Sequence, residues 1–129
     1  MLPWIATGAL CCALAVVGGA FGAHALSGRL DPHARELWET AARYLVYGGF
    51  GQIAAGLLAG SQGGRAAARR PGRGADLAGG SLLAGAAIFS GTLGGLALGA
   101  PRWLGAVTPL GGLLLIAGFA LLAWAAPRR

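Results

Sequence analysis

AFGAHALSGRLDPHARELWETAARYLVY, residues 20–47, decides how the chain is read. It joins the end of one hydrophobic helix to the start of another through a short polar connection. Asp31 is placed to cap a helix whose first position is Pro32, where a missing N–H costs nothing. The opening turns, 32–43, mix His33, Arg35, Glu36, Glu39 and Arg43 with Leu37, Trp38 and Ala41, a pattern suited to a membrane interface. Arg35 and Glu39, and Glu39 and Arg43, are spaced i,i+4 and are expected to pair. The residues able to do chemistry are concentrated here: His24, Glu36, Glu39, Arg43, Tyr44 and Tyr47.

Outward from this stretch the chain is apolar. Its 129 residues are 56% hydrophobic and 11% charged, with 25 glycines and a mean hydropathy of +0.66. A soluble domain of this size needs more charged surface. Runs free of Arg, Lys, Asp and Glu cover 3–28, 44–64, 77–101 and 103–127, each long enough for the roughly 20 apolar residues of a transmembrane helix. Helices, rather than a barrel of short alternating strands, then satisfy the backbone in lipid. The predicted fold is an all-α membrane protein, one domain over 1–129, with four transmembrane helices in a compact bundle. Its spans are 4–26, 44–60, 77–99 and 109–126, with an amphipathic extension at 32–43 and a basic loop at 61–76. Thr108 and Pro109 read as the N-cap and first position of the last span.

The first span competes with a signal peptide, since Ala23-His24-Ala25 has a small-x-small form. No Lys or Arg precedes the apolar run, however, and it exceeds the roughly 7–15 residues of a signal core, so a retained helix is expected.

All ten basic residues are arginine and the net charge is +6. They lie beside hydrophobic spans with few aromatics between them, which favours topology signals and lipid contact over nucleic acid. Arg65, Arg69, Arg70 and Arg73 are expected at lipid headgroups. With four crossings, six arginines fall on the side of both termini and four on the other, which predicts cytoplasmic termini. Trp4 and Trp124 at one end, and Trp38 and Trp103 at the other, read as an aromatic belt. Adjacent Cys11 and Cys12 lack metal-ligand spacing and read as packing residues.

Small residues four apart occur at Gly18 and Gly22, Gly56 and Gly60, and Gly91, Gly95 and Gly99, spacings that let helix backbones approach. No acidic residue lies within a span, which argues against proton-driven cation export. A polar cluster is expected at the extracytoplasmic end from His24, Glu39, Arg43, Tyr44, Tyr47, Ser90, Thr92 and Thr108. It reads either as a small binding site or proton-responsive latch, or as a capping histidine, a snorkelling arginine and interfacial tyrosines. Gln52 is expected to hydrogen-bond between helices.

Four ordered motifs carry a family resemblance: Gly19-Ala20-Phe21-Gly22-Ala23-His24; Glu39-Thr40 with Arg43-Tyr44 and Tyr47; Phe89-Ser90-Gly91-Thr92-Leu93; and Arg102-Trp103-Leu104-Gly105 leading to Thr108-Pro109-Leu110-Gly111-Gly112. In these the chain resembles the YgdD-like small bacterial inner-membrane proteins, domain of unknown function 423. The resemblance implies a four-helix inner-membrane protein and no established reaction. Its pattern has a histidine directly after the second tyrosine, where this chain has Gly48, so a two-histidine site is not expected.

No nucleophile–base pair or metal-ligand set is identifiable. The expectation is a non-enzymatic protein without cofactor, acting as an accessory or interaction subunit in a larger membrane assembly or homo-oligomer. The alternative is a small transporter or channel subunit gated near His24, Arg43 and Tyr47.

Overall fold

The computed structural model describes residues 4–63 and 73–127. They form four helices: α1 (Trp4–His24), α2 (Pro32–Gly63), α3 (Arg73–Ala97) and α4 (Leu104–Ala125). Three of them, α1, α3 and α4, are long and apolar enough to cross a membrane. The second predicted span does not reach that standard. It shares one continuous helix with the charged 32–43 segment, and Tyr44, Tyr47, Gln52 and its glycines dilute the apolar character of the rest. Arg65, Arg69 and Arg70 lie outside the described residues, whereas Arg73 is exposed at the first position of α3.

The α2 start follows the sequence closely. The Ala34 N–H donates to Asp31 Oδ1 at 2.7 Å, the capping bond expected ahead of a helix that opens on Pro32. At the α3 end, Gly99 adopts φ +97°. The N–H of Ala100 donates to the Gly95 carbonyl at 2.9 Å and that of Gly99 to Leu96 at 3.2 Å, a Schellman turn. Gly99 therefore turns the chain, and nothing packs on it.

The last helix departs from its expected start. It begins at Leu104, so Pro109 lies inside it rather than at its first position. Thr108 accordingly does not cap; its hydroxyl donates back to the Leu104 carbonyl at 3.1 Å. Proline deprives the helix of one N–H, which neighbouring helices and hydroxyls compensate in membrane proteins.

Each helix packs antiparallel on its neighbour in sequence, α1 on α2, α2 on α3 and α3 on α4. Among the described residues α1 and α4 do not meet, and the arrangement follows chain order. It is a row with α2 and α3 in the middle. Small residues permit these contacts because bulky side chains would hold the backbones apart. On α1 and α2, a Cβ added to Gly8 would collide with the Gly49 carbonyl oxygen, and one on Gly49 would lie 2.6 Å from Cys12 Sγ. On α3 and α4, a Cβ on Gly85 would lie 2.7 Å from the Leu115 nitrogen, and one on Gly111 would collide with the Phe89 nitrogen. Leu82, fully buried, fills the space that Gly51 of α2 and Gly118 of α4 leave open. With Ala86 and Leu115 it forms the core, flanked by Tyr44, Leu45, Phe89 and Leu122.

Candidate functional site

Two tryptophans anchor opposite ends of the helix row. Trp4 of α1 is buried, lies against Gly79 of α3 and donates its Nε1–H to Asp76 Oδ1 at 2.8 Å. Trp38 of α2 lies against Gly22 of α1 and donates its Nε1–H to the Gly18 carbonyl at 2.8 Å. These two belong to the packing, whereas Trp103 and Trp124 are 65% and 72% exposed. The two tryptophans expected at each interface thus divide by environment. An indole that has found both a glycine notch and an acceptor is satisfied inside the protein.

Among the described residues the one hydrogen bond between members of the expected polar cluster joins Thr92 to Thr108. His24, Glu39, Arg43 and Tyr47 are exposed. Tyr44 meets Tyr47 edge-on at 5.2 Å between ring centroids and leans on Phe89 at 4.5 Å. Thr108 turns to a different partner, the Thr92 hydroxyl at 2.7 Å, joining α3 to α4. Neither predicted Glu39 pair forms; Arg35 instead donates from Nη2 to the Ser27 carbonyl, closing the α1–α2 connection. Loop carbonyls left outside a helix need such donors, and a single guanidinium supplies one without a carboxylate.

Of the glycines expected at helix contacts, Gly22 and Gly56 stand in tight ones, against Trp38 and Ile5. Gly18 and Gly95 have ordinary contacts, and Gly60 and Gly91 face open space. The tightest approaches also fall at Gly8, Gly48, Gly49, Gly51, Gly79, Gly85, Gly111 and Gly118. Spacing could have flagged Gly111 and Gly118 only as two among 25 glycines, since the opposing residue that makes a glycine necessary is on another helix.

Buried polarity is sparse. Gln52 is fully buried, with its Nε2 donating to the Gly48 carbonyl at 3.2 Å and to Cys11 Sγ at 3.4 Å, the latter an α1–α2 link of the kind expected. Its Oε1 has no partner. Ser81 of α3 donates to the Leu114 carbonyl of α4 at 2.6 Å. Among the described residues no group of three or more His, Cys, Asp or Glu is placed to hold a metal ion.

Two clefts flank α2. One, of about 230 Å³, lies between α1, α2 and α3, below Trp38, with Leu14, Ala41, Leu45, Ser90 and Gly94 in its walls. The other, of about 340 Å³, runs between α2 and α4 along Tyr47, Phe50, Gly51, Ala54, Phe119 and Leu122. Both are lined mainly by carbon.

Glycine-notched antiparallel helices, three of them of membrane-crossing length and composition, define a helical membrane protein. The chain belongs to the family described as Protein of unknown function (DUF423), whose model matches residues 18–112. It is 42% identical over 122 residues to a UPF0382 membrane protein of Staphylococcus haemolyticus, covering 95% of this chain and 93% of the relative. A UPF0382 membrane protein of Staphylococcus epidermidis is 40% identical with the same coverage, and one of Staphylococcus aureus is 36% identical. No solved structure matches.

Proposed function

We propose that this protein crosses a bacterial inner membrane four times, with both termini in the cytoplasm, and serves as a non-catalytic accessory or interaction subunit. The four-crossing reading is supported by the position of α2. Gly49 and Gly56 of α2 lie against Gly8 and Ile5 of α1, while Gly48 and Gly51 lie against Ala86 and Leu82 of α3. A helix clasped along this length by two membrane-spanning helices occupies the same slab, and its exposed Phe50 and Leu57 then meet lipid or a partner. The orientation rests on the arginine excess beside the termini, and the Arg65–Arg73 segment is assigned to anionic headgroups.

The accessory role rests on one observation, the missing contact between α1 and α4. Among the described residues no further helix then covers the groove along Tyr47, Phe50, Ala54 and Phe119. A partner helix seated there would bury aromatic surface and exclude lipid from between α2 and α4. The test is a photo-crosslinking residue at Phe50, with the intact particle weighed at native expression. Recovery of the same larger membrane protein on each occasion supports the reading; a monomer or homo-dimer that crosslinks only to lipid overturns the accessory role. Transport gated at His24, Arg43 and Tyr47 is the weaker reading, because among the described residues no hydrogen bond or ion pair joins these three.

A further inference from the structure

We propose that the cleft between α1, α2 and α3 is a binding site for one glycerophospholipid, with an acyl ester carbonyl accepting a hydrogen bond from Ser90. The inference rests on the membrane crossing proposed above and is independent of the accessory role.

The starting observation is a hydroxyl out of keeping with its peers. Thr7, Ser61, Ser81, Thr92 and Thr108 donate to backbone carbonyls, and among the described residues no other hydroxyl is both buried and unpartnered. Ser90 lines the cleft, yet its Oγ is buried and has no hydrogen-bond partner. A buried hydroxyl left unsatisfied costs free energy, and rotation about its single χ1 bond brings it to an acceptor entering the cleft without moving the backbone. Water alone is a poor occupant, since a stable buried water needs two to four polar partners and these walls are mainly carbon. A bare hydrocarbon chain fills the volume but leaves Ser90 unpaired. The occupant therefore combines an apolar body with an uncharged acceptor oxygen.

A cation, Arg35, lies on the same helix beyond the Trp38 rim. Trp38 lines the cleft with Gly94 of α3, on which a Cβ would stand 3.8 Å from the indole ring. Ser90 lies four residues deeper along α3, about 6 Å on a helical rise. Arg35 lies three residues the other way along α2, about 4.5 Å nearer the helix start, exposed and steadied by the Ser27 carbonyl. A guanidinium above, an indole at the rim and a hydroxyl one turn below follow the order of phosphate, glycerol backbone and acyl ester in a phospholipid. The chain beyond the ester then runs along Leu14 and Leu45.

The test compares two phosphatidylglycerols with identical chains, one ester-linked and one ether-linked, added to the full-length protein and measured as retained lipid by native mass spectrometry. The wild type is expected to retain one ester lipid per chain and about three- to tenfold less of the ether lipid, the range for one hydrogen bond. Ser90→Ala is expected to lower ester retention to the ether level. Arg35→Gln is expected to lower both. Gly91→Leu, placed in the cleft wall where a Cβ meets nothing within 4 Å, is expected to block the cleft and abolish both. Equal retention of the two lipids by the wild type, persisting discrimination in Ser90→Ala, or full retention in either other variant overturns the site. Loss of the chain from the membrane fraction would instead overturn the crossing on which it rests.

Discussion

Trp38 and Gly22 form a lock at the α1–α2 junction: a Cβ on Gly22 would stand 2.5 Å from the indole ring, whose nitrogen is held by the Gly18 carbonyl. The indole cannot retreat without giving up that hydrogen bond. Gly22→Ala is therefore expected to destabilise the protein by about 1–3 kcal/mol, the usual cost of overpacking. Gly60→Ala, with open space around it, is expected to change stability by less than about 1 kcal/mol. Steric-trap or denaturant unfolding in a fixed detergent checks both, and equal effects would refute the lock.

At the opposite end, Asp76→Ala removes the acceptor for Trp4 Nε1, which stands 2.8 Å from Oδ1. A hydrogen bond to a carboxylate contributes about 1.5–3 kcal/mol, and the α1–α3 contact should loosen by that order. Asp76→Asn keeps an acceptor oxygen and should cost less than Asp76→Ala. Indole fluorescence of Trp4, in a protein lacking the other three tryptophans, reports the difference.

Gly8 and Gly49 face one another across the same crossing point. Alanine at either one forces the helices apart, and the gap so opened accommodates the second alanine. Gly8→Ala and Gly49→Ala should each destabilise, while the double variant should cost less than their sum by about 0.5–3 kcal/mol. Strict additivity would mean that the helices do not separate as a unit.

Leucine at position 52 tests the polar core. Gln52→Leu removes the unpartnered Oε1 at little change in volume, and is expected to be neutral or stabilising. Gln52→Ala leaves a void beside Cys11 and should be the worse of the two, by about 2 kcal/mol. Thermal unfolding of the purified variants ranks them.

Asp31 and Pro32 announced the start of α2 because capping is local: the residue types that satisfy the first N–H groups stand next to them in the chain. The same local rule misled at Thr108 and Pro109, where Thr108 was already engaged with Leu104 and Thr92 and the helix continued through the proline. Tryptophan behaves similarly. Trp38 and Trp103 look alike as residues near helix ends, and only the notch at Gly22 makes one of them a packing residue. The cleft at Ser90 lay beyond sequence reasoning for that reason too: it is walled by three helices, and the hydroxyl is notable only because it is buried there without a partner.

The separation of α1 from α4 bears on biogenesis. Every major interface joins a helix to the one made just before it, so each can dock as it leaves the translocation machinery. No late step has to bring the two ends of the chain together. An arrangement completed in the order of synthesis loses little entropy to loop closure, and a chain truncated after α3 is expected to keep its first two interfaces.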